Sequence, residues 1–145
     1  MAIRWSRAAT TSGAGLSCVG WSPSMAELPD KDVAYLLDML LAARDAQEFA
    51  DGLTQEGFLS SRLHQNAIIR SLEVIGEAAG QVSAGTVKRL PQIPWRQVTG
   101  MRHRLIHGYA SVDLDLVWQV VTQQLAPLIA TLEPLIPAEE DDDPA

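Results

Sequence analysis

The chain has 145 residues, 47% of them hydrophobic, and a formal net charge of -7. That length supports one well-buried core and is short for two; the single cysteine, Cys18, allows no intrachain disulfide, and no apolar run reaches the roughly 18–20 residues that span a bilayer. A soluble, cytoplasmic protein is expected, and its overall acidity argues at first sight against a polyanionic partner.

The first 24 residues contain no acid, many small side chains and no helical apolar stripe. Residues 1–28 are therefore expected to be an extension outside the core, with Met25 a candidate natural start; an organellar leader is the alternative for so Arg- and Ser-rich a segment. Residues 29–136 read as one helical domain. The first helix follows Pro29, with Asp30 as its N-cap, and carries Val33, Leu36, Leu37, Leu40 and Leu41 at helical spacing as far as Gly52. A second places Ile68, Leu72, Ile75, Ala79 and Val82 three and four apart and ends near Gly85. His64 lies near its start and is given no function.

Pro94 suits the first turn of a third helix, which runs to His107 with Gly108 at its C-terminal cap. A fourth starts near Asp113 and puts Leu114, Val117, Val121, Leu125, Leu128 and Leu132 on one face; Pro127 is expected to kink or divide it. No strand pattern and no repeat is found. Apolar stripes on helices joined by mostly short connections predict an all-α, antiparallel bundle of four to five helices. Residues 137–145, with Glu139 to Asp143 all acidic, are expected to form a solvated, disordered tail.

Charge is segregated along the chain. Between Glu77 and Asp113 there is no carboxylate, and Lys88, Arg89, Arg96, Arg102 and Arg104 make that stretch basic. An anionic substrate would sit there. Within it, "MRHRLIHGY", Met101 to Tyr109, gathers two arginines, two histidines and a tyrosine. His103 and His107 share a helix face, being four apart. The exposed carbonyls of a last turn would favour protonation of His107, while Arg102 and Arg104 oppose it.

Three readings fit these residues. A cationic last turn complements the helix dipole and needs no function. A metal site has the i,i+4 histidine spacing, but two arginines would repel a dication and no third ligand is evident, so no metal and no cofactor is expected. The third is phosphoryl chemistry: RNA carries its own 2′-hydroxyl nucleophile, so a proton-transfer group, His107, and a phosphate-binding fork, Arg102, would suffice. One copy of the pair is thin for acid and base together, which makes a symmetric dimer attractive. Glu77 and Asn66, eleven apart on the second helix, are candidates for orienting the motif.

The segments "DVAYLLDML", "NAIIRSLEVIGEAAG", "IPWRQVTGMRHRLIHGY" and "VDLDLVWQVV" resemble, in that order, the HEPN domains, and specifically the HepT-like toxins of toxin–antitoxin pairs. The similarity spans about residues 30 to 136. The family's motif of Arg, four residues, His, one residue and Tyr is matched by Arg102, His107 and Tyr109. The resemblance implies a homodimeric helical bundle with both motifs facing a shared cleft, and a metal-independent endoribonuclease. It also implies a minimal nucleotidyltransferase antitoxin as partner, which transfers AMP to Tyr109. The chain departs from the commonest pattern at His103, where relatives often carry Asn. His103, Arg104 and Glu77 stand as possible supporting residues. The rival reading is a non-catalytic helical subunit that binds RNA or a nucleotide and regulates a nucleotidyltransferase.

Overall fold

The computed structural model describes residues 28–105 and 111–136. The N-terminal segment with Cys18 and Met25, the residues His107, Gly108 and Tyr109, and the acidic tail lie outside the described residues. Among those described, the protein is an all-α bundle without strands.

Helix α1 spans Asp30–Ala50. Pro29 occupies the N-cap and its carbonyl accepts from Val33 N at 3.0 Å; Asp30, expected to cap, is instead the first helical residue, and no side chain caps this end. Two acids in the first turn, Asp30 and Asp32, suit the positive end of the helix dipole. The helix stops at Ala50, and Gly52 supplies the turn with φ of 70°, a conformation that costs glycine little. Its buried stripe is Leu36, Met39, Leu40, Ala42, Ala43 and Ala46. Leu41, expected in the core, is 47% exposed, and Val33 and Leu37 are only half-buried. Three alanines hold the buried face instead, so that Leu41, about 100° round from Leu40, falls outside it.

Short helix α2, Gln55–Leu59, is capped by Thr54, whose hydroxyl accepts from Gly57 N at 3.0 Å. It buries Phe58 completely and stacks its ring on Trp118, centroids 5.4 Å apart. Helix α3, Arg62–Gln81, starts from Ser61, whose hydroxyl accepts from His64 N and pairs with His64 Nδ1 at 2.7 Å. His64 thus belongs to a helix cap. The five apolar positions expected on this helix, Ile68, Leu72, Ile75, Ala79 and Val82, are all buried. Residues 51–61 connect α1 and α3, the most extensive helix pair of the bundle, which therefore run antiparallel.

Helix α3 ends four residues before the expected Gly85, because Asp32 intervenes. The Asp32 carboxylate, 3% exposed, accepts from Ser83 N at 3.0 Å and from the hydroxyls of Ser83 and Thr86. This grip turns the chain at Val82 and starts α4, Ala84–Arg89, with Gly85 in its first turn. Leu28, one residue before the expected domain start, is buried in the same core.

Helix α5, Trp95–Leu105, follows Pro94, whose carbonyl accepts from Gln97 N and Val98 N. It packs against α3 so closely that a Cβ at Gly76 would lie 3.3 Å from the Val98 carbonyl oxygen. The fourth helical segment is α6, Leu114–Gln119, a π-helical turn over Val120–Gln124, and α7, Leu125–Leu132, closed by a 3-10 turn, Glu133–Leu135. The division expected at Pro127 occurs one turn earlier. Pro127 has no N–H to offer the carbonyl of Gln123, and the widened turn just before it absorbs that defect. Val117, Val121, Leu125, Leu128 and Leu132 are buried as expected, and Leu114 is half-buried. No helix is long and apolar enough to cross a membrane.

Burial pushes the Asp32 carboxyl up, but the bonds from Ser83 and Thr86, aided by Lys31, outweigh it and hold it below the ordinary value. A depressed folded-state pKa contributes stability above the unfolded value and loses it as pH falls through the folded one. Asp32→Asn should therefore cost about 1–3 kcal/mol at neutral pH. In urea titrations the difference from the parent should shrink once pH drops below the ordinary carboxylate range; a difference that persists unchanged there would show that the charge of Asp32 is irrelevant.

Candidate functional site

The last turn of α5 is fixed by its apolar neighbours. Val98, Met101 and Leu105, at spacings of three and four, point into the core and are at most 3% exposed. The intervening Arg102, His103 and Arg104 must then project outward, and all three are exposed. Arg102, His103 and Arg104 all fall in the last described turn of α5, where the helix dipole favours positive charge.

Arg102 borders a shallow apolar notch between α3, α5 and α6, whose other walls include Ile69, Leu72, Met101, Leu105 and Val117. Such a notch can take the aliphatic stem of an arginine while its guanidinium stays in water. The notch has one acid at its rim, Glu73, whose side chain is 31% exposed and lies 3.7 Å from Arg70. Glu77, the expected orienting acid, is exposed one turn further along α3 and does not line the notch; Asn66 is exposed as well. Sequence reasoning passed over Glu73, although its place next to buried Leu72 puts it at the border of the face that meets α5.

Lys88 and Arg89 end α4, and Arg96 is exposed at the start of α5, so the acid-free stretch of sequence becomes a succession of surface cations. The carbonyl of Leu105 accepts from Asp113 N at 3.0 Å, and the Asp113 carboxylate accepts from Leu116 N at 3.1 Å to cap α6. The end of α5 is thereby tied to the start of α6. His107 and Tyr109 lie outside the described residues, so the structure places Arg102, His103 and Arg104 together but not their expected partners. Among the described residues no group of three or more His, Cys, Asp or Glu could hold a metal ion.

This arrangement can attract a polyanion, and Arg102 can bind a phosphate in bidentate fashion. A family model described as "Ribonuclease HepT-like" matches residues 39–135. A Methanocaldococcus jannaschii protein named "Putative RNase MJ0127" is 35% identical over 117 residues, 80% of this chain and 97% of that protein. The "Probable ribonuclease HepT" of Thermococcus cleftensis is 37% identical over 101 residues, 70% of this chain and 92% of that protein. A Caldanaerobacter subterraneus protein, "Putative RNase TTE0752", is 27% identical over 106 residues, 73% and 95% of the two chains. No solved structure matches significantly.

If the α5 turn is oriented as described, glutamine at Arg102, His103 or Arg104 should leave stability within about 0.5 kcal/mol of the parent. Met101→Ala, in contrast, should cost about 2–5 kcal/mol. Urea denaturation of the four variants makes the comparison; a multi-kcal loss at any of the three polar positions would mean that its side chain is structural.

Proposed function

Because the chain belongs to the HepT-like ribonuclease family, we propose that it is a metal-independent endoribonuclease, the toxin of a toxin–antitoxin pair that works in the cytoplasm. The observation that supports this reading is the exposed turn Arg102–Arg104 of α5, which presents two arginines and a histidine to solvent within the matched region.

RNA brings its own nucleophile. As the 2′-oxygen bonds to phosphorus, its proton passes to a base; as the bond to the 5′-oxygen breaks, that oxygen takes up a proton. A 2′,3′-cyclic phosphate and a free 5′-hydroxyl result. His107 is the proton-transfer group, and Arg102 holds the phosphate and stabilises the charge that grows on its oxygens. A homodimer that brings two such pairs to one cleft supplies base and acid at once. His103 and Arg104 add to the local positive field, and Glu77 stays a more distant candidate support.

Tyr109 is the control point in this reading. A minimal nucleotidyltransferase antitoxin joins its phenolic oxygen to the α-phosphorus of ATP, with loss of pyrophosphate and of the phenolic proton. The attached adenylate sets negative charge against Arg102 and His107 and occupies the place of the RNA phosphate.

Protein shown by mass to be free of AMP should cleave RNA in excess EDTA and leave cyclic phosphate ends. His107→Ala should lower turnover by about 10²–10⁴-fold, and Arg102→Gln by about 10²–10³-fold. Undiminished cleavage by a folded His107→Ala variant would remove that residue from the chemistry. If the AMP-free parent cuts none of several RNAs, the protein is a binding subunit instead. Tyr109→Phe should keep most of the cleavage and resist the antitoxin; covalent AMP on that variant would move the acceptor elsewhere.

A further inference from the structure

The outer face of α5 carries positive or titratable side chains at both of its ends. Seven residues, nearly two helical turns, separate Arg96 from His103, so the two share one face roughly 10 Å apart along the axis. Both are exposed, as is Thr99 between them. Arg102 and Arg104 stand about 100° to either side of His103, with Arg102 at the notch. At Gly100, also between Arg96 and His103, a Cβ would meet nothing within 4 Å, so the path from one end of the face to the other is open.

The two ends differ in what can explain them. In the last turn the helix dipole favours positive charge; in the first turn it disfavours it, and Arg96 stands there with no acid in the turn to offset it. Among the described residues Arg96 makes no ion pair either. A cation that neither its helix nor a neighbour accounts for is expected where function overrides local preference. The backbone beneath it is pinned: Trp95 Nε1 donates to the Leu90 carbonyl at 2.9 Å, and the Thr99 hydroxyl donates to the Trp95 carbonyl at 2.8 Å.

We propose that Arg96 is a second phosphate-binding subsite, which grips single-stranded RNA to one side of the phosphate held at Arg102. The strand runs along the outer face of α5, over the bare backbone at Gly100. Arginine suits the task because its planar fork pairs with two phosphate oxygens at once. Double-stranded RNA fits less well, since the deep, narrow major groove of an A-form helix does not admit a ridge of this width. The subsite requires a phosphate beyond the cleaved bond and accepts any base, because phosphate contacts position a strand without reading it. This inference rests on the ribonuclease reading for its first phosphate and adds the second.

Steady-state cleavage by the full, AMP-free chain tests it, together with binding of an uncleavable 2′-O-methyl oligoribonucleotide over a range of salt. Arg96→Gln should raise KM on an unstructured oligoribonucleotide about fivefold or more and move kcat far less. The loss should be smaller on a dinucleoside monophosphate, which has no second phosphate to hold. The slope of log K against log salt should shrink by about 0.7, the share of one single-strand phosphate, and Arg96→Lys should recover part of the loss. Gly100→Glu should also raise KM without loss of helix, because the position is open and glutamate is the better helix former. Arg70→Gln makes the same charge change on α3, where Arg70 lines a groove against α1, and should do much less. An Arg96→Gln variant with the parent's KM and salt slope, a loss as large on the dinucleoside monophosphate, or an equal loss in Arg70→Gln overturns the inference and leaves the ribonuclease reading standing. RNA that is bound through Arg96 but never cut overturns the ribonuclease reading alone, and a parent that neither binds nor cuts RNA overturns both.

Discussion

At Gly76 the backbone of α3 comes so near to α5 that a β-carbon would meet the Val98 carbonyl oxygen at 3.3 Å, and what α5 presents to solvent depends on that approach. With the two backbones this close, Val98, Met101 and Leu105 are buried on the inner side of α5. Helical geometry then leaves Arg102, His103 and Arg104 nowhere to point but outward. On its other side α3 packs along α1, where Ala42, Ala43 and Ala46 keep the buried face low. Small residues on both flanks of one helix thus set the spacing of the three.

Charge follows the same division. Helix α1 carries most of its acids in solvent, and the surface from α4 through α5 carries cations without a single carboxylate between Glu77 and Asp113. A net charge of -7 is therefore a poor guide to what the α5 turn meets, because screening limits each charge to its own neighbourhood of about 8–10 Å at ordinary salt. An anion brought near Arg102 would meet the charges of its own surroundings, Arg104 and Glu73 among them, before the acids of α1.

Long apolar periodicities were legible in the sequence, since a stripe of Ile68, Leu72, Ile75 and Ala79 has only one helical interpretation. Details decided by tertiary contacts were not. Leucine at position 41 looks like core by hydropathy, yet the buried face of α1 is set by what α3 can accommodate, and alanines fill it. Helix α2 escaped notice because five residues give no period, and Phe58 alone carries its packing. Asp32 read as one more acid in a first turn, while its actual partners lie far along the chain. In the candidate site, the outward cations follow from sequence, but Glu73 rather than Glu77 beside Arg102 depends on the rotation of α3 against α5. A rotation of that kind leaves no mark in spacing alone.

Asp32 and Ser83 stand 51 residues apart in sequence. Bringing them together closes a long loop, and the entropy of that closure is lowest once α1 and α3 have already paired. A carboxylate that docks on a bundle already assembled makes bonds that are absent from the transition state. Interactions absent from a transition state slow escape from the native state without hastening arrival. Docked last, the Asp32 carboxylate would in this sense act as a brake on unfolding at the α3–α4 junction, from which the cationic surface departs.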